Sequence, residues 1–279
     1  MKHIIRIAAV ILAAVMIFAV VDRLPSAAGE LSTIAASTKV TSDGKYSGSL
    51  ILVNDKHRYR NTGEEFVKLY DEKTDSFFMG STEIMLSKIA VKPLCDMFDA
   101  FRNETGLKKI NVISGYRSVE SQQEIYKQKA NRYGNLYAKK YVQTPGFSEH
   151  HTGLCVDVSI FNADDGSSED FDGTGKYEWF SKNAWKYGFV VRYPEGKEKV
   201  TKIGYEPWHF RYVGVPHAYY MTKNGLCLEE YIELLQSKTK SEPLKFRCGA
   251  KTYKVWHSKQ KPKKGNFSGD NYNGYIIWK

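Results

Sequence analysis

Apolar residues recur at helical spacing over Leu86, Ile89, Ala90, Leu94, Met97, Phe98 and Phe101 and stop at Gly106. This predicts a helix ending there, kinked or restarted by Pro93. Short apolar runs at 49–53 and 110–113 read as strands, and Ser118 stands where an N-cap is needed for a helix over 119–131. From Gly153 to Ile160 the chain alternates. Leu154, Val156, Val158 and Ile160 take one face; Cys155, Asp157 and Ser159 take the other. Further on, the pattern predicts a helix over 177–187, a strand over 188–194, a strand over 208–213 carrying His209, and a helix over 228–235. Strand-like pieces then follow at 244–248, 253–257 and 275–278, and there is no internal repeat. Helices early and strands clustered later predict an α+β fold.

The start of the chain breaks this pattern. Positions 7–21 are an unbroken apolar run of 15 residues after a basic start, with a small-x-small site at Ser26-Ala27-Ala28. Residues 1–28 read as a signal peptide or a membrane anchor, which places the body outside the cytoplasm, secreted or anchored at the cell surface. Residues 29–47, rich in Ser, Thr, Ala and Gly, read as a linker. The net charge of +10 is uneven: residues 237–279 hold eleven Lys or Arg against Glu242 and Asp270, or +9 of the total. Export argues against nucleic acid as the partner of this basic tail. The choices are attraction to anionic wall polymers or a membrane surface, or a solvated β appendage packed on the body. The four cysteines, Cys95, Cys155, Cys227 and Cys248, form no CxxC pair. Export permits a Cys227–Cys248 bridge, and four buried thiols are the plain alternative.

Two short segments carry the chemistry. One runs Ser148-Glu149-His150-His151-Thr152-Gly153-Leu154-Cys155-Val156-Asp157, and the other is Glu206-Pro207-Trp208-His209. An imidazole from each, with Asp157, supplies three ligands of the kind a hydrolytic zinc ion takes, leaving a position for water. Glu206, three residues before His209 and with Pro207 turning the chain between them, is placed to move the water proton. Spacing alone does not choose between His150 and His151.

The segments Ser114-Gly-Tyr-Arg-Ser118 with Gln122, Ser148-x-His-x-x-Gly-x-x-x-Asp157, and Glu206-Pro-Trp-His-Phe-Arg-Tyr-Val-Gly214 resemble the zinc D-alanyl-D-alanine carboxypeptidases of the VanY type. These belong to the lysostaphin/D-Ala-D-Ala peptidase superfamily, which includes the hedgehog zinc domain. The likeness covers about residues 48–236. It implies a central antiparallel sheet with flanking helices, to which 237–279 adds a small β-rich extension. It implies one zinc ion on His150, Asp157 and His209, favouring His150 over its neighbour, and Glu206 as the base. Arg117 is implied to steady the developing carbonyl charge or the substrate carboxylate. Ser118 and Gln122 are expected beside it along the groove, Ser148 near substrate, and Trp208 as a cavity wall. Capping explains Ser118, and core packing Trp208, equally well. Cys155 stands where a small residue such as Ala would be expected. Its expected role is a small filler whose removal leaves zinc content and rate intact; the alternative is a thiolate that perturbs the metal.

The implied function is removal of the C-terminal D-alanine from peptidoglycan stem peptides. An L,D-carboxypeptidase on tetrapeptide stems, a cross-bridge endopeptidase and a non-catalytic zinc domain that binds the wall are the alternatives. The endopeptidase loses weight because lysostaphin-like members carry His-x-His near the last ligand, and position 211 here is Arg. Glu206 and Arg117 together argue against lost catalysis.

Overall fold

A computed structural model describes residues 44–279. The segment 1–28 and most of the linker 29–47 lie outside the described residues. Among those described, no helix is long and apolar enough to cross a membrane.

The centre is a mixed sheet. In chain order its strands are β1 (Phe78–Met79), β2 (Ile110–Ser114), β3 (Cys155–Phe161), β4 (Ser168–Asp170), β5 (Phe189–Tyr193) and β6 (Glu206–Tyr212). In space they run β1-β2-β3-β6-β5, with β4 paired to β3. β1 and β2 are parallel, and the other pairs are antiparallel. The class is α+β, as the pattern predicts.

Helix α1 (Lys88–Thr105) buries Ala90, Val91, Leu94, Met97, Phe98 and Phe101 along one stripe. That stripe shares a core with Val156 and Val158 of β3, Phe210 of β6, and Phe180. Each of the larger side chains, Val, Leu, Met or Phe, contributes about 1.5–3 kcal/mol by leaving water. Gly106 ends the helix at φ 74°, its N–H returning to the Arg102 carbonyl. Pro93 does not restart the helix, which runs on through it. It sits early enough that the carbonyl losing a partner belongs to Ile89, a residue 48% exposed on the outer side. Helix α2 (Val119–Tyr133) starts where expected, with Ser118 Oγ accepting from Ser121 N–H at 3.1 Å.

Two other expectations differ. Residues 50–53 are buried, but 49–53 belong to no strand, and 49 and 50 lie in a turn. Their polar groups are taken elsewhere: Leu50 N–H donates to Ser268 Oγ, Leu52 N–H to the Asp270 carbonyl, and Arg211 Nη2 donates to the carbonyls of Ser49 and Ile51. The helix over 177–187 is broken into Glu178–Asn183 and two flanking 3₁₀ turns, Gly175–Tyr177 and Ala184–Tyr187.

After β6 come α3 (Val215–Asn224), which the pattern misses, and α4 (Leu228–Gln236). A second, fully antiparallel sheet follows: β7 (Leu244–Cys248), β8 (Lys251–Ser258), β9 (Asn266–Gly269) and β10 (Tyr275–Trp278), ordered β9-β10-β8-β7. Val255 and Ile276 from this sheet share a core with Leu50, Leu52, Met221, Leu228 and Ile232. All four cysteines are free, so Cys227 and Cys248 are not bridged.

Candidate metal centre

The turn between α2 and β3 decides which histidine faces inward. Residues Glu149–Thr152 form one 3₁₀ turn, closed by Gly153 at φ 64°. A Cβ on Gly153 would lie 2.7 Å from the Phe66 ring and from Ser87 N, so the turn can sit this close only with glycine. His151 is committed on both sides, with Nδ1 donating to the Arg117 carbonyl at 2.7 Å and Nε2 accepting from Gly146 N–H at 3.0 Å. Burial lowers its pKa, so it stays neutral and holds the loop. His150 Nδ1 is 2.7 Å from the Gly115 carbonyl, which turns Nε2 to Asp157, 3.1 Å from Oδ2.

Asp157 in β3 pairs with His209 in β6. His209 Nδ1 lies 3.0 Å from Asp157 Oδ1, yet that buried oxygen accepts no hydrogen bond. The short distance is the real contact; what is missing is an N–H aimed along it. Two imidazole nitrogens thus stand 3.1 and 3.0 Å from the two oxygens of one carboxylate, a clustering of donors expected of ligands around a cation. Each imidazole is fixed from behind, His150 by the Gly115 carbonyl and His209 by Glu149 Oε2 at 3.3 Å from Nε2. Two imidazoles and a carboxylate suit zinc, so the residues present fit the group.

Glu206 arrives by a route the sequence does not suggest. It lies on β6, not before a turn. Three apart on a regular strand, Glu206 and His209 would face opposite sides. The register shows why they do not: Tyr193 pairs with Glu206 and Val191 with Phe210, so three residues of β6 face the single Arg192 of β5. Pro207, with no N–H to offer a ladder, sits inside this bulge. Glu206 Oε2 is thereby brought to 3.6 Å from His209 Nδ1. Burial pushes its carboxyl up to about 7, against the opposing pull of His209.

Arg117 is held at both ends of its guanidinium. Nη1 donates to Gln122 Oε1 at 2.7 Å and Nη2 to Ser114 Oγ at 3.0 Å, leaving Nη2 3.9 Å from Asp157 Oδ2. Buried Gln122 is anchored in turn by donating to the Gln143 carbonyl at 2.7 Å. Arg117, Gln122, Ser148, Trp208 and the metal-facing residues line one cavity of about 210 Å³. Ser118 does not line it; its hydroxyl caps α2.

Four further residues belong to this centre. Glu149 is wholly buried, accepting from Arg192 Nε at 2.7 Å and from Arg211 Nη1. Burial would raise its pKa, but the two guanidiniums hold it well below the carboxylate range. Arg192 also pairs bidentately with Glu229, at 2.8 and 2.6 Å. Arg211, two residues from His209, had a readable signal in its position; Arg192 had none. The fourth is Cys155, wholly buried beside His150 and His209. Burial opposes its ionisation, yet the two imidazoles bring the thiol down to about 7.

Residues 83–215 match the family model described as VanY, D-alanyl-D-alanine carboxypeptidase. The chain is 33% identical over 204 residues to a D-alanyl-D-alanine carboxypeptidase of Enterococcus faecium, covering 71% of this chain and 62% of the relative. It is 40% identical over 134 residues to the bifunctional D-Ala-D-Ala dipeptidase and carboxypeptidase VanXYC of Enterococcus gallinarum, covering 47% of this chain and 70% of that protein. The D,D-dipeptidase VanXYg, solved with a D-Ala-D-Ala phosphinate analogue, superposes with a TM-score of 0.73 at 30% identity, covering 84% of this chain and 94% of that one. A point mutant of the D,D-pentapeptidase VanY from a VanB-type resistance cassette, solved with Zn(II), gives 0.55 at 33% identity, covering 66% and 98%. The chain spans only 62% and 54% of the length of two of its curated relatives.

Proposed function

This chain belongs to the VanY family of D-alanyl-D-alanine carboxypeptidases, and from that premise we propose that it is a zinc-dependent enzyme removing the C-terminal D-alanine from peptidoglycan stem peptides. The observation that carries this reading is the convergence of Glu206 and Arg117 on the His150–Asp157–His209 cradle within one cavity.

His150 Nε2, an Asp157 oxygen and His209 Nδ1 would hold the zinc. When bound, zinc supplies Lewis acidity, polarising a carbonyl and making water a nucleophile near neutral pH. Glu206 accepts the proton of the attacking water and hands it to the leaving amine; a carboxyl raised by burial exchanges protons readily near neutrality. Arg117, fixed by Gln122 and Ser114, presents a charge that needs no reorganisation as negative charge grows on the substrate. Trp208 and Ser148 bound the space into which the terminal residue fits.

The expected test result is separation of binding from turnover. Glu206→Gln should retain zinc at wild-type stoichiometry while hydrolysis falls by at least about 100-fold. Full activity in that variant would remove Glu206 as the base.

On the export reading of residues 1–28, the enzyme acts outside the cytoplasm. The second sheet supports a further part of this proposal, contact with an anionic wall polymer or membrane surface. Lys245 lies opposite Lys254 across β7–β8, and Lys254 exchanges both backbone hydrogen bonds with Lys279. Three exposed lysines therefore stand in one row. Like charges placed opposite one another repel, and a polyanion would relieve that repulsion. Salt-sensitive binding to isolated cell walls is the expected result; no binding at low salt would remove this part.

A further inference from the structure

We infer that Cys155 is a fourth protein ligand of the metal, so that the resting centre comprises His150 Nε2, Cys155 Sγ, an Asp157 oxygen and His209 Nδ1. The inference rests on the zinc reading above and changes it from an open three-ligand centre to a closed one. The donor atoms of His150, Cys155 and His209 lie within 4.8 Å of one another, and all three residues are buried. Strand geometry places the sulfur. Cys155 and Asp157 are two apart on β3 and share a face, and the register sets Asp157 opposite His209 and Cys155 opposite Arg211. The thiol therefore stands one pleat from the carboxylate, on the side of the two imidazoles. Asp157 Oδ1, buried and 3.0 Å from His209 Nδ1, accepts no aligned hydrogen bond, so an acceptor of this cluster stays available to a cation. The sulfur is not taken up in a disulfide.

As the sulfur–metal bond forms, the thiol proton leaves to solvent. Two nitrogens, one oxygen and one sulfur would supply the four donors zinc takes, leaving no open position while the thiolate stayed bound. With four donors bound, water and substrate would have to compete with the Cys155 thiolate for the ion. A thiolate also biases the centre toward zinc, cobalt or cadmium over magnesium or manganese. The filler role expected from the sequence gives none of these properties.

X-ray absorption at the zinc edge of the zinc-loaded protein tests this without relying on activity. The expected spectrum has one sulfur at about 2.3 Å beside lighter ligands at about 2.0–2.1 Å. The sulfur should vanish in Cys155→Ala and Cys155→Ser and persist in Cys248→Ser. A shell of nitrogen and oxygen alone, with zinc bound stoichiometrically to the wild type, would overturn the inference and leave the zinc reading standing. No bound zinc would overturn both. Should the Cys155 variants not fold, the wild type still decides. Its cobalt(II) form should show a thiolate-to-metal charge-transfer band in the near ultraviolet, and lack of that band overturns the inference.

Discussion

Glu149 does more than its place between two motif residues suggests. Its carboxylate is shared by Arg192 and Arg211, and it also backs His209. Removing one partner from a buried ion network leaves the others uncompensated, at about 3–5 kcal/mol. Glu149→Gln should therefore lower the unfolding free energy, read from urea titrations, by that order and weaken zinc binding by about 10–100-fold, as expected when a ligand's supporting group is lost. Unchanged zinc affinity would mean that His209 is positioned without it. The proposed ligands His150, Asp157 and His209 were legible because hydrolytic zinc chemistry restricts their type; Cys155 was not, because a buried thiol on a strand serves equally as a space-filler. Residues that hold those ligands were not, because any buried charge network could supply the same hydrogen bonds.

At the scale of elements, the 3₁₀ turn before β3 and the bulge in β6 set the geometry. Gly153 occupies the one turn position where the backbone is left-handed and a ring and a backbone amide crowd the missing Cβ. Gly153→Ala should cost about 1–2 kcal/mol from backbone conformation alone, with the crowding adding to it. Thermal unfolding measures it, and an unchanged midpoint would show that the turn relaxes freely. Long elements with clear periodicity, such as α1 and β3, were legible. The bulge was not, because it exists only in the pairing of β6 with β5. The segment 49–53 reads as a strand and is not one, since Arg211 and the second sheet take its backbone groups.

For the whole molecule, the second sheet completes a core rather than hanging free of the first. His217 on α3 lies inside this core, with Nδ1 2.8 Å from Tyr231 Oη, its ring edge-on to Trp278, and Nε2 unpartnered. Burial pushes its pKa down to about 3. The folded state therefore stays unprotonated below the ordinary value of 6.5 while the unfolded chain takes up a proton. Stability is lost as pH falls from about 6.5 toward 3, not on the alkaline side. Between pH 7.5 and 5, His217 should account for about 2 kcal/mol of loss. Denaturant titrations of wild type and His217→Phe should converge by that amount; parallel curves would show that His217 titrates normally.

The central claim, hydrolysis of the D-Ala–D-Ala bond, is met most directly by mass spectrometry of stem peptides incubated with the zinc-loaded protein. Pentapeptide and tetrapeptide are offered in parallel, with Glu206→Gln as control. The expected result is loss of one alanine from the pentapeptide alone, abolished in the variant. Loss from the tetrapeptide alone, or no loss from either peptide with zinc bound, would contradict it.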